Sequence, residues 1–123
     1  MFCRFKCFCS RNNRYRNCRN INNIDVDKMA QMQRDGAILI DVRSPQEFDE
    51  GHLFDAICVP EYELTLKIRM MIPNMDEVLI LYCGTGHRSE RAKQRLRKMG
   101  YANVYNLRNG LENYWDFFVC VLE

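Results

Sequence analysis

The chemistry-bearing residues of this sequence gather in one segment, Tyr82-Cys83-Gly84-Thr85-Gly86-His87-Arg88-Ser89. Its cysteine directly follows Val78-Leu79-Ile80-Leu81-Tyr82, an apolar run that predicts a buried strand, so a rigid element fixes its position. Two glycines among the next three residues let the backbone curl until successive N–H groups point inward as an anion-binding nest. A helix is expected to begin where the loop ends, and its free amides add partial positive charge at the same point. Arg88 brings a permanent cation. Each feature favours thiolate over thiol at Cys83. The cradle formed by Gly84, Thr85, Gly86, His87 and Arg88 suits an anionic substrate, or a negative terminal sulfur attached to Cys83. That arrangement fits a transfer in two steps through a covalent intermediate, a persulfide. In the blander reading Cys83 is a small core residue and Gly84-Thr85-Gly86 a plain turn. The succession of strand, glycine loop, arginine and helix argues against it.

The elements that must hold this loop alternate along the chain. Asp25 is suited to cap a helix running to about Arg34, and Asp35-Gly36 to stop it. Ala37-Ile38-Leu39-Ile40 reads as a buried strand that ends in Asp41-Val42-Arg43. Ser44-Pro45-Gln46-Glu47 reads as a helix start, and Gly51 as its end. Ala56-Ile57-Cys58-Val59 is expected to be a second short buried strand. A helix from about Glu61 to Ile72 follows, with Leu64, Ile68 and Met71 at helical spacing. After the Cys83 loop, Arg88 to about Met99 has a helical pattern, with Ala92, Leu96 and Met99 on one face and basic residues on the other. Val104 to Leu107 reads as a last strand, and Leu111 to about Val119 as a final helix. This alternation predicts an α/β fold, a mostly parallel central sheet with helices on both faces. Ligands in such folds sit outside the carboxyl ends of the strands, where Cys83 lies. Asp41 and Arg43 end a strand on the same rim. Arg43 could draw in an anion; alternatively, Asp41 satisfies loop amides and Arg43 pairs with Glu47 or another acid.

Composition bounds the rest. At 123 residues the chain is one domain, and 47% hydrophobic with 28% charged residues is ordinary for a globular protein. The formal charge of +2 hides an asymmetry. Residues 1–20 hold six basic side chains and no acid, leaving 12 basic and 16 acidic ones to the other 103 residues, a balance of −4. We therefore divide the chain into a basic, Cys-rich leader at residues 1–22, expected to lack order, and a folded domain at 23–123. Nothing in this balance points to nucleic acid. No apolar run reaches the roughly 20 residues of a membrane span, and no secretory signal is evident. Seven cysteines without an export signal argue for reduced thiols and a cytoplasmic location. In the leader, Cys3, Cys7, Cys9 and Cys18 lack the paired spacing of structural zinc sites. No cofactor or metal is called for.

Four sets of residues in the domain resemble the motifs of the rhodanese family. Leu39-Ile40-Asp41-Val42-Arg43 with Glu47-Phe48 is similar to its first signature, and Glu50-Gly51-His52-Leu53 before Ala56-Ile57 and Pro60 to its second. Tyr82-Cys83 through Arg88-Ser89-Glu90-Arg91-Ala92 resembles its active-site loop and following helix. Gly100 to Tyr105 and Gly110 to Trp115 resemble the strand and helix that close the domain. The resemblance covers residues 24 to 118 and implies a sulfurtransferase. Cys83 would take a sulfane sulfur from thiosulfate or a persulfide or polysulfide donor and pass it to cyanide or a thiol. The donor is then a small molecule or a persulfide-bearing protein, and the acceptor a small thiol or a thioredoxin-like protein. Two departures stand out: Phe54-Asp55 replaces a common Pro-Gly pair, and Gly84 stands where many members carry arginine.

Two other readings compete. In one, a rhodanese-like module binds partners or senses oxidants without catalysis, although an intact cysteine and loop argue against an idle domain. A Cys-dependent phosphatase of related fold has five residues between cysteine and arginine, whereas four separate Cys83 from Arg88. His52 reads as structural, bonding a turn to the sheet edge. His87 is equally suited to tuning the thiolate and to facing solvent. Cys58 reads as a buried strand residue, and Arg91, Lys93, Arg95, Arg97 and Lys98 as a solvated basic face.

Overall fold

The computed structural model describes residues 22–113 and 119–120. Residues 1–21, with the leader's four cysteines, lie outside them, and Asn22 is bound to the strand at Asn103–Leu107 through its carbonyl and side chain. The elements are β1 (Asn23–Ile24), α1 (Val26–Arg34), β2 (Ile38–Asp41), α2 (Pro45–Glu50), β3 (His52–Leu53) and β4 (Ile57–Cys58). They continue with α3 (Glu61–Met71), β5 (Val78–Tyr82), α4 (His87–Met99), β6 (Asn103–Leu107), a 3-10 turn (Leu111–Asn113) and β7 (Val119–Cys120). Five strands form a sheet in the order β1-β6-β5-β2-β4, and every pairing in it is parallel. The expected α/β architecture is therefore the one found.

Side chains alternate across the sheet and divide the core in two. Ile40, Leu79, Leu81 and Val104 pack with Leu64 and Ile68 of α3 and Ala92 and Leu96 of α4. On the other face Leu39, Ile80 and Leu107 pack with Met29 of α1, Leu53 and Leu111. Burial of each such aliphatic side chain stabilises the fold by roughly 2 kcal/mol before entropy is counted. β5 is the central strand, paired with β2 over Ile38–Asp41 and with β6 over Asn103–Asn106. Its carboxyl end is accordingly held from both sides.

Local signals act as expected at two helix starts. The Asp25 side chain accepts from the Lys28 amide, and Ser44 and Glu47 form a reciprocal capping box with Pro45 at the first helical position. The turn at Phe54-Asp55 survives without Pro-Gly. Asp55 adopts a left-handed φ of +67°, which aspartate tolerates better than most residues, and the Ala56 amide donates to the Leu53 carbonyl.

Several expectations are corrected. The second strand is shorter than Ala56–Val59 and lies at the sheet edge, so Ile57 is 37% exposed rather than buried. Met71 faces solvent, and Ile72, four residues beyond Ile68, turns inward in its place. The final helix expected from Leu111 to about Val119 is not what its described ends show. Leu111–Asn113 is a single 3-10 turn, residues 114–118 lie outside the described residues, and Val119 pairs antiparallel with Leu53 of β3. β1, β3 and β7, each two residues long, were not expected at all. Lys93 departs from the solvated basic face: its side chain is buried and ion-paired with Glu90 at 3.0 Å. Among the described residues no helix is long and apolar enough to cross a membrane.

Candidate functional site

Cys83 leaves the end of β5 with its residue fully buried. Its Sγ lies inside the following loop and accepts from the Gly86 amide at 3.1 Å and the Ser89 amide at 3.4 Å. Gly86 is the N-cap of α4 and Ser89 its third helical residue. Both amides belong to the set that a helix leaves without internal acceptors, so the positive end of α4 is directed at the sulfur. The Ser89 hydroxyl stands 3.4 Å from Sγ and donates to the Asn106 side chain of β6. The sulfur is thus met by hydrogen-bond donors from the start of α4.

The loop is bound from outside as well. The Leu111 amide donates to the Cys83 carbonyl at 2.8 Å, and the Glu112 amide to the Gly84 carbonyl at 3.0 Å. The turn after β6 is thereby laced to the first two peptides of the loop. Thr85 and His87 are exposed and contact each other, Oγ1 to Nδ1 at 3.1 Å, away from the sulfur. That geometry favours the solvent-facing reading of His87.

Arg88 does not stand free. Its guanidinium forms a two-pronged pair with Glu47 of α2, at 3.0 and 3.2 Å. The hydrogen bond from Arg88 holds the Glu47 carboxyl far down, at about 2, and raises Arg88 in turn. Because the folded value lies below the ordinary 4.5, the folded state gives this pair's stabilisation above that pH and loses it as pH falls toward 2. The pair is more than a third exposed, so screening limits its contribution to about 1 kcal/mol. We expect Glu47→Gln to lower the unfolding free energy measured in urea at pH 7 by that amount. As pH falls through about 2 the stabilities of variant and wild type should converge, because the wild-type carboxylate is then neutralised.

Asp41 and Arg43 pair with each other. The Arg43 guanidinium gives Asp41 three hydrogen bonds of 2.7–3.0 Å, its amide gives a fourth, and Nη2 also donates to the Gly51 carbonyl. Both residues are buried, so the bland expectation holds in outline, with Asp41 rather than Glu47 as the partner. Arg43 is committed to structure. His52 is likewise structural, its Nδ1 2.9 Å from the Phe48 carbonyl and its ring stacked on Phe48. Cys58 pairs in register with Asp41, which itself pairs with Tyr82 on its other side. A whole strand thus separates the backbone of Cys58 from that of β5. Cys58 is half-buried, and burial pushes its thiol up.

Four residues around the loop escaped the sequence reading of the site: Glu47, Ser89, Gly110 and Glu112. A signal existed for Ser89, since six residues after Cys83 and third in a helix places its amide near the loop. Glu47 was visible as a cap, as part of the first signature and as a possible partner of Arg43, but not as the partner of Arg88. Nothing local announces Gly110 or Glu112.

Comparison with known proteins agrees with this geometry. A family model described as a rhodanese-like domain matches residues 25–116. A protein of Allochromatium vinosum named sulfurtransferase is 34% identical over 93 residues, 74% of this chain and 85% of that one. The Escherichia coli protein named thiosulfate sulfurtransferase PspE is 36% identical over 67 residues, covering 54% of this chain and 64% of its own. In fold, the human single-domain sulfurtransferase TSTD1 superposes with a TM-score of 0.69 at 22% identity, over 78% of this chain and 96% of the other.

Proposed function

This chain belongs to the rhodanese-like domain family, and from that premise we propose that it is a sulfurtransferase working through a persulfide on Cys83. The observation that carries the proposal is the pair of α4 amides aimed at a sulfur on the end of the central strand. In the first step the Cys83 thiolate attacks the outer sulfur of a donor. A new Sγ–S bond forms, the donor's S–S bond breaks, and the electron pair leaves with sulfite from thiosulfate, or with a thiolate from a persulfide. In the second step an acceptor thiolate, or cyanide, attacks the outer sulfur and Sγ recovers its electron pair. A small thiol or a thioredoxin-like protein would serve as acceptor, and the reduced thiol chemistry suits the cytoplasm.

The loop residues take distinct parts. Gly86 and Ser89 hold the charge of Sγ. The amides of Thr85, His87 and Arg88, which follow Cys83 through the loop into α4, would meet an outer sulfur. Arg88, clamped by Glu47, ties the start of α4 to α2 and keeps the cradle closed. Asp41 and Arg43 support the rim from β2. No step requires a cofactor.

The test is a mass measurement on the full chain. After incubation with thiosulfate or a polysulfide, one added sulfur of about 32 Da is expected on the peptide containing Cys83, and it should leave on addition of a thiol. A wild-type protein that acquires no sulfur from any sulfane donor overturns the proposal.

A further inference from the structure

Beside the loop lies a cleft of about 200 Å3, lined by Arg43, Glu47, Glu50, Gly84, Leu111 and Glu112. Its charge is not what a site for a small dianion needs. Arg43 is matched by Asp41 and Arg88 by Glu47. Glu50 and Glu112 have no ion-pair partner among the described residues, so the described lining of the mouth carries a net negative charge.

Glu112 holds a particular place in that mouth. Its amide binds the Gly84 carbonyl, and its Oε2 lies 3.2 Å from where a Cβ on Gly84 would stand. The next atom near that point is Arg88 Nη2, at 3.8 Å. Any side chain at position 84 and the Glu112 carboxylate therefore compete for one space. Gly84 gives no cation to the mouth, and by its smallness leaves the space to an anion. Low-dielectric walls focus such a charge on whatever enters, which changes association rates by 10-fold or more at low salt.

We infer that Glu112, standing in the space left by Gly84, is a specificity-determining residue that turns away small dianionic donors such as thiosulfate and favours persulfides carried on a cationic group. The inference rests on the persulfide chemistry proposed above and narrows its donor. In the favoured step the Cys83 thiolate takes the terminal sulfur of an ammonium-bearing persulfide. The Sγ–S bond forms, the donor's S–S bond breaks, and the amine-bearing thiol leaves as thiolate and takes a proton from water.

The experiment follows sulfur loading of Cys83 in the intact chain by rapid quench and mass spectrometry. Thiosulfate and 2-aminoethyl persulfide serve as the two donors, for wild type and for Glu112→Gln. The variant is expected to load from thiosulfate roughly 10-fold faster than wild type and from the aminoethyl donor a few-fold slower. Raising ionic strength from about 10 mM to about 150 mM shortens the Debye length from about 30 Å to about 8 Å, and should speed thiosulfate loading of wild type more than that of the variant. Glu112 is exposed and the change isosteric, so equal urea midpoints are expected; Glu112→Ala repeats the test without an amide in the space. If both donors load both proteins with an unchanged preference, Glu112 has no such role and the sulfurtransferase reading stands. If neither donor loads Cys83 in either protein, the sulfurtransferase reading falls and this inference with it.

Discussion

Gly110→Ala is expected to cost about 4 kcal/mol of stability and to abolish sulfur loading. Gly110 has a φ of +74°, and a Cβ there would run into Gly84 O and meet Gly84 C at 2.5 Å and Thr85 N at 2.7 Å. All three are backbone atoms, so no side chain can rotate aside. The Glu112 amide holds the peptide they belong to and the Leu111 amide holds the one before it, and the segment leads to the Gly86 amide that faces Cys83 Sγ. Relief of the clash must therefore either break the lacing between the β6 turn and the loop or move the amide off the sulfur. Gly36→Ala supplies the comparison. Its φ is +103°, equally unsuited to alanine, but a Cβ there meets nothing within 4 Å. That variant should lose only about 1 kcal/mol, the strain of the backbone alone, and keep full loading. Urea unfolding of the two variants measures the difference. Equal losses would mean that the β6 turn does not pack on the loop as described.

The contrast between these glycines also explains what was legible in the sequence. The Cys83 loop could be read because its determinants are adjacent: an apolar run, two glycines, an arginine and a helix start within a dozen residues. The Ser44 cap was local in the same sense. The lacing was not, since Gly110 meets Gly84 only after β6 has paired beside β5. The Glu47–Arg88 pair spans 41 residues and depends on α2 and α4 starting at one rim. β1, β3 and β7 have no pattern of their own at two residues each and exist only through their partners. Lys93 was a different failure. Ser89, Ala92, Lys93 and Leu96 form one inward stripe at helical spacing, so its burial could have been read from position, but its charge was given more weight. The long aliphatic stem packs, and the ammonium finds Glu90 and the Asn23 side chain. Burial lowers its pKa, an effect that the Glu90 carboxylate opposes.

Cys83→Ser is expected to fold as wild type and to lose sulfur loading by roughly three orders of magnitude or more. The two side chains differ by one atom, and the Gly86 and Ser89 amides that serve sulfur can also serve a hydroxyl, so the core around β5 has no reason to change. The chemistry changes completely. A serine hydroxyl is a far weaker nucleophile at neutral pH, and the soft, polarizable sulfur that both attacks and later departs is gone. Cys58 supplies the control, because it is a second free cysteine on the same sheet. Its thiol is pushed up by burial and donates to the Arg43 carbonyl at 3.9 Å. Cys58→Ser should accordingly load as fast as wild type. Peptide mapping after incubation with a sulfane donor tells the two apart. If Cys83→Ser still gains a stable sulfur while Cys58→Ser does not, then the amides at the start of α4 do not mark the carrier.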